Sequence, residues 1–306
     1  GCICFHKADF LDVFINSLPE GIAHFNKRIS FYVRSASDPA ITLHFMDDLS
    51  ASCDLLVGCD GIKSTVRGQI YREQADKVEA EGGDWRSILD CIEPIWSGTI
   101  TYRGLRQAEK LLARHRALCA PMKHVVSYSI SQGSIVNVVT FASDPEKEGT
   151  LYEEPWMTQC PQQGLLNCYA NGEPEVEELL NVCQRPPDRT RTTCTTCPNA
   201  IALPGDAVRF LPPQTLYSDM RCQGAFILSS LLTHPDVDRG TLNTALRAYE
   251  HARVRKATRV LQGSWDATIM CEFNSPGYGD DCSKLADVIR KQWDWVWEST
   301  PESGPG

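Results

Sequence analysis

Apolar positions change their period several times along the chain, and each change marks an element. From Ala8 to Leu18, the residues Phe10, Leu11, Phe14, Ile15 and Leu18 recur at helical spacing on one face, and Pro19-Glu20-Gly21 ends the pattern. Alternating positions then predict strands over 28–34, 41–46 and 53–58, the last two joined by the polar turn Asp47-Asp48. Residues 72–90 are charged, contain glycine and have little apolar period, which predicts a surface connection. Strand patterning resumes over 98–105, 123–131 and 134–143, with Gln132-Gly133 as a hairpin turn. Residues 174–183 predict a short acidic helix that buries Val176, Leu179, Leu180 and Cys183.

Periodicity lapses from Arg185 to about Arg221, in the stretches RPPDRTRTTCTTCPN and RFLPPQTLYSDMRC. It returns at Gly224, with helices predicted over 225–232 and 241–262, the second turning Leu242, Ala245, Leu246, Tyr249 and Val260 to a core. A last helix over 284–298 sets Leu285, Val288, Ile289, Trp293, Val296 and Trp297 on one face, so the tryptophans there read as packing. The succession predicts an α/β fold whose β-rich middle block is the candidate for a second, substrate-covering domain.

Composition narrows the partner. With 306 residues, 42% of them hydrophobic, the chain can bury a core, and 39 acidic against 30 basic residues argue against a nucleic-acid surface. A neutral or weakly anionic small molecule is the expected ligand. No apolar run approaches the roughly 18 residues that span a bilayer. The start GCICFHKADFLDVFI lacks the basic region and unbroken apolar run of a secretory signal, and fourteen scattered cysteines read as reduced thiols. A cytoplasmic protein is expected. The absence of an initiator Met reads as a fragment or a gene model with a missing start.

Candidate chemistry concentrates in Cys53–Arg67, CDLLVGCDGIKSTVR. An apolar run enters an Asp-Gly turn, Gly58 and Gly61 bracket that turn, and Lys63 and Arg67 add positive charge at a helix start. Such a segment predicts a nucleotide or pyrophosphate neighbour without naming a reaction. Elsewhere, seven histidines form no helical pair and no GxSxG is present, so hydrolase chemistry has no support. His6, His24, His44 and His124 read as surface or hydrogen-bonded structural residues. Cys194 and Cys197 lack a second pair to complete four zinc ligands, and Pro198 in a Thr-rich stretch does not open a redox helix, so no metal site is predicted.

Three segments in order resemble the FAD-dependent aromatic hydroxylases, flavoprotein monooxygenases of the para-hydroxybenzoate and salicylate hydroxylase type, and among them fungal salicylate hydroxylase-like proteins. HKADFLDVF from His6 is similar to a helix that opens with a cofactor-facing basic residue; CDLLVGCDGIKSTVR is similar to the Asp-Gly motif; IALPGDA, Ile201–Ala207, is similar to the later Gly-Asp motif. Flanking stretches such as WSGTITYRGL, HVVSYSISQGSIVNVVTF and EFNSPGYGDD agree. The resemblance implies cofactor contacts by Lys7, Asp60, Gly61, Arg67, Gly205, Asp206 and Pro213: Asp60 and Gly61 near the flavin pyrophosphate, Arg67 holding the turn, Asp206 accepting a ribityl hydroxyl. It places no catalytic side chain, because NAD(P)H, FAD and O₂ carry the chemistry onto a small aromatic substrate.

Departures accompany the match. No GxGxxG occurs among the 21 glycines, Lys7 stands where the family carries Arg, and Pro212 to Met220 replaces a glycine-rich flavin loop. The resemblance implies a FAD-binding domain in two parts, 1–70 and 185–262, a connection with a β-rich substrate domain over 71–184, and a C-terminal helical tail over 263–306. Two functional readings stay open: a monooxygenase for a salicylate-like acid, of which this chain is a piece that does or does not turn over by itself, or a flavin-free relative that keeps the substrate domain as a binding module. Tyr102 and Arg103 either face the substrate or form a solvent-facing strand pair.

Overall fold

The computed structural model describes residues 7–35, 40–107, 116–151, 157–158, 162–170, 174, 176, 180, 189–195 and 217–298. Gly205, Asp206 and Pro213, and the residues Cys197 and His6, lie outside them. The chain divides into two compact units: Gly1–Phe25, Trp96–Thr193 and Ala267–Leu285 form one, and Asn26–Ile95, Cys194–Asp266 and Ala286–Gly306 the other. Helices and sheets are mixed.

In the second unit, β1 (Ile29–Arg34), β2 (Ile41–Phe45) and β3 (Ser50–Cys53) make an antiparallel sheet in chain order. The predicted Asp47-Asp48 turn forms as expected: Asp48 takes φ 61°, Leu49 N–H donates to Asp47 Oδ1 at 3.3 Å, and Lys27 pairs with the Asp47 carboxylate. That exposed pair holds the Asp47 carboxyl below its ordinary value, through the Lys27 hydrogen bond first. The expected strand over 53–58 is not a strand. β3 ends at Cys53, and 54–58 have no ladder partner among the described residues although Leu56 packs beside Tyr32 and Val66. An apolar run reports burial; only a neighbouring strand turns it into sheet.

The expected surface connection over 72–90 is also corrected, because α2 runs from Thr65 to Ala80 and is followed by the single turn α3 (Arg86–Leu89). The helix is hard to read because it has two narrow contact faces in place of one broad stripe. Val66 and Ile70 pack on the sheet around Tyr32, while Tyr71 joins Cys91 and Ile92 on the other side. Gln69 binds the β1 edge like an extra strand, accepting from Tyr32 N–H at 3.0 Å and donating to Tyr32 O at 2.6 Å. An edge residue is thereby satisfied without a fourth strand.

In the first unit, β4 (Ile95–Gln107), β5 (Arg116–Ala120), β6 (Lys123–Ile130), β7 (Ile135–Ser143), β8 (Met157–Thr158) and β9 (Arg189–Thr195) form a sheet in the order β5-β6-β7-β4-β9-β8. The Gln132-Gly133 turn joins β6 to β7 with Ser131, Gln132 and Gly133 all at positive φ. Gly98 on β4 has φ +73°, and a Cβ there would stand 2.4 Å from Asp144 O, so no other residue fits. One sheet face carries Val125, Val136 and Val138, packed against Leu165 and Tyr169 around α4 (Gln162–Cys168) and against Val176 and Leu180, which lie at helical positions. Tyr102, half-buried, packs against this cluster.

Helix α1 (Lys7–Ser17) forms where predicted, with Phe10 half-buried and Leu11, Phe14 and Leu18 exposed. The C-terminal part contains α5 (Tyr217–Leu232) and α6 (Leu242–Cys271), each longer than its apolar pattern predicts. The single helix expected over 284–298 is two: α7 (Cys282–Lys291) and the one-turn α8 (Asp294–Trp297). At the break Gln292 Nε2 donates to Gly263 O at 2.6 Å and the Trp293 ring sits against Gly263. Trp295 lies under the Arg259 guanidinium, 4.0 Å from ring centroid to Cζ. Among the described residues no helix is long and apolar enough to cross a membrane.

Candidate functional site

The Asp-Gly segment is built as a turn locked onto a helix. Ser64 is the N-cap of α2, and its Oγ accepts from Arg67 N–H at 3.0 Å. The Asp60 carboxylate takes the next donors: Oδ2 accepts from Thr65 N–H at 2.7 Å and Val66 N–H at 3.2 Å, while Oδ1 accepts from the Ser64 hydroxyl. The first free amides of a helix attract an anion, and here the anion is the protein's own side chain.

Arg67 secures the other side. Its guanidinium is buried at 4% exposure, and Nη2 donates to Ile62 O in the turn and to Ile92 O at 3.1 Å. The cation is therefore used on backbone carbonyls within this unit. Lys63 is exposed, and Gly61 takes φ +84° with nothing within 4 Å of where a Cβ would stand. What the segment presents outward is thus the backbone at Gly61, with Asp60 and Arg67 holding its shape.

Asp60, Gly61 and Arg67 are brought together in this way. Lys7 is the first residue of α1, in the other unit. Gly205, Asp206 and Pro213 lie outside the described residues.

A second polar cluster, in the β-rich unit, falls on or beside the stretches WSGTITYRGL, HVVSYSISQGSIVNVVTF and EFNSPGYGDD, with no site role given to its residues by the sequence reading. His124 on β6 is 2% exposed and Glu272, just past α6, is 3% exposed, and His124 Nδ1 lies 2.9 Å from Glu272 Oε1. The same carboxylate oxygen accepts from Ser143 Oγ at 2.8 Å, and Ser143 Oγ lies 2.8 Å from Thr99 Oγ1. Met122 N–H donates to Glu272 O at 3.2 Å, tying the end of α6 to the strand. His124 stacks on Phe141 with ring centroids 4.2 Å apart. Nearby, Tyr169 donates to Phe141 O at 2.6 Å, and burial drives its phenol far above the usual tyrosine value. The expectation for His124 is sharpened: it is hydrogen-bonded, and it belongs to a buried ionisable pair. His44 differs, being half-buried and stacked on Phe31.

No family model matches the chain. It is 29% identical over 312 residues to a salicylate hydroxylase of Pseudomonas putida, covering 95% of this chain and 68% of that protein. It is 30% identical over 342 residues to the FAD-dependent monooxygenase str9 of Strobilurus tenacellus, covering 97% of this chain and 73% of that protein. The chain belongs to the FAD-dependent monooxygenases. Within that family, an oxidoreductase family, the fold also agrees: a salicylate hydroxylase solved as a substrate complex matches with a TM-score of 0.81 at 25% identity, over 97% of this chain and 73% of that one. Klebsiella pneumoniae HpxO, solved with FAD and uric acid, shares the fold at a TM-score of 0.61 and 19% identity, over 97% of this chain and 68% of its own.

Proposed function

We propose that this monooxygenase uses FAD, NAD(P)H and O₂ to hydroxylate a small phenolic or aromatic acid of the salicylate type. The observation that carries this reading is the match along 95% or more of the chain to proteins named for salicylate hydroxylation and FAD-dependent monooxygenation. A relative at 26% identity, the 6-methylsalicylate 1-monooxygenase atA of Aspergillus terreus, supports the same substrate class.

The described residues fit one contact with FAD. At Gly61 the backbone is open to approach, with no atom within 4 Å of the missing Cβ, as a turn laid against a cofactor requires. The end of α2 offers no phosphate cradle, because Thr65, Val66 and Arg67 already donate to Asp60 and Ser64. On this reading Asp60 and Arg67 shape the turn that Gly61 presents, and Lys7, Gly205, Asp206 and Pro213 complete the contact. Bound FAD supplies oxygen activation; the protein's part is to place the aromatic ring and exclude water. On this reading the arrangement is of the para-hydroxybenzoate hydroxylase type, with residues 1–70 and 185–262 assigned to the FAD-binding domain, 71–184 to the connection and substrate domain, and 263–306 to the tail, although the compact units group Gly1–Phe25 and Ala267–Leu285 with the β-rich block. A cytoplasmic setting is supported by Cys53, Cys59, Cys91, Cys168, Cys271 and Cys282, all free thiols.

The test is to incubate the purified protein with FAD, NADH or NADPH and salicylate under ¹⁸O₂ and to analyse the aromatic product by mass spectrometry. One labelled oxygen atom in the ring is expected. Salicylate binding with neither FAD uptake nor product would replace this reading with the flavin-free binding module.

A further inference from the structure

The unit that carries the Asp-Gly turn also holds a pocket to which the proposed chemistry assigns no task, a cavity of about 420 Å³ between α2 and α3. We infer that it is a binding site for a small organic cation, an ammonium head on an aromatic or aliphatic body. The inference goes beyond the reading under Proposed function and does not rest on it, since none of Asp60, Gly61 and Arg67 lines the pocket.

Helical spacing builds one wall: Arg72, Ala75, Asp76 and Glu79 share a face of α2. The other wall is Trp85 at the N-cap of α3, Leu89 at its end, and then Ile92 and Glu93. Ala75 and Ile92 are buried, and Trp85 and Leu89 half-buried, so the floor is apolar and carries an indole ring. Asp76, Glu79 and Glu93 stand exposed around it. Small-molecule sites have volumes of roughly 300–1,000 Å³ and join such an apolar lining to a few polar groups.

Charge selects the occupant. Elsewhere in this unit carboxylates have basic partners: Glu73 pairs with Arg34, Asp47 with Lys27 and Asp54 with Arg239. Around the pocket, Asp76, Glu79 and Glu93 form no ion pair among the described residues. The nearby cations are turned elsewhere. Arg72 Nη1 lies back over Gly68, 3.3 Å from where a Cβ there would stand, and the Arg86 guanidinium sits over the Trp85 ring, 4.8 Å from its centroid. Three carboxylates beside an apolar floor hold a negative potential, and a cation relieves their mutual repulsion. A metal ion is the wrong cation, because among the described residues no three acidic, histidine or cysteine side chains are grouped closely enough to hold one. An extended occupant meets both demands, its head among the carboxylates and its body on Trp85, Leu89 and Ile92.

The experiment adds 2-phenylethylamine, 2-phenylethanol or MgCl₂ to ¹⁵N-labelled protein at low salt and follows the indole N–H signals, Trp85→Phe identifying the Trp85 signal among those of the seven tryptophans. The Trp85 signal is expected to move with the amine, which should bind about tenfold tighter than the alcohol, the worth of two or three exposed ion pairs. Raising the salt to about 0.5 M should remove most of that preference. Asp76→Asn combined with Glu79→Gln should bring the amine to within about threefold of the alcohol, since Glu93 remains. Trp85→Ala should weaken both ligands. An amine no tighter than the alcohol, an unmoved Trp85 signal, a preference that survives in the double variant, or Mg²⁺ moving the signal at a lower concentration than the amine would overturn the inference. Flavin uptake and ¹⁸O incorporation test the monooxygenase reading separately, and the double variant should leave them as in the wild type.

Discussion

Two carboxylates of this protein do opposite things with the same chemistry. Asp60 is exposed and spends its oxygens on the Ser64 hydroxyl and the first amides of α2, a local arrangement within six residues of sequence. Glu272 is buried and binds His124 and Ser143, residues separated from it by 148 and 129 positions. Asp60 makes a turn rigid so that the backbone beside it can be approached. Glu272 keeps a side chain poised in the interior. Exposure decides how much each can contribute: solvent screens the first, while the second is worth little as a folding device and costs much when broken.

Breaking the buried side should have the largest effect. Glu272→Ala leaves the His124 imidazole and the Ser143 hydroxyl without their acceptor, and a loss of about 3–5 kcal/mol is expected from urea unfolding. The exposed site has its own buried anchor: Arg67→Met removes the donor to Ile62 O and Ile92 O, and about 2–4 kcal/mol should be lost, since hydrogen bonds from charged groups are worth roughly 1.5–3 kcal/mol each. Asp60→Ala should cost only about 1–2 kcal/mol by the same measurement, the range of a lost helix cap. A loss at Asp60 equal to that at Glu272 would erase the contrast.

The smallest effect concerns alkali. Burial raises Tyr169 above the usual tyrosine value of 10.0, and desolvation likewise raises Tyr249. A raised folded value means that the unfolded chain ionises first. The stabilisation is therefore fully present below pH 10 and is lost as pH climbs above it. Thermal unfolding at pH 9 and pH 11 should show the alkaline drop in the wild type and a smaller one in Tyr169→Phe, which also forgoes the hydrogen bond to Phe141 O, worth about 1 kcal/mol at neutral pH.

The same contrast explains what could be read before the structure. The Asp60 turn was legible because its residues are neighbours in sequence, as were the β6–β7 hairpin with its Gln132-Gly133 turn and the helix at 7–17. Helix α2 was missed past residue 72 because its buried face mixes Arg67, Gly68, Tyr71 and Ala75 in place of an apolar stripe. The strand expected at 53–58 failed for the converse reason, since pairing is a property of the neighbour and not of the run itself. Cross-strand partners such as Ser143 and Thr99, and the companion of His124 at the end of α6, carry no local signal. A lone Glu after a long helix looks like solvent-facing charge until the chain closes on it. The break at Gln292-Trp293 was hidden too, because Gly263, which receives both residues, lies 29 positions away.

The central claim is that the turn at Gly61 serves a flavin. Gel filtration of the purified protein after incubation with FAD, followed by its visible spectrum, tests that claim most directly. The account predicts a yellow protein peak that keeps flavin absorbance through the column. A folded protein that leaves all FAD in the small-molecule fraction would contradict it.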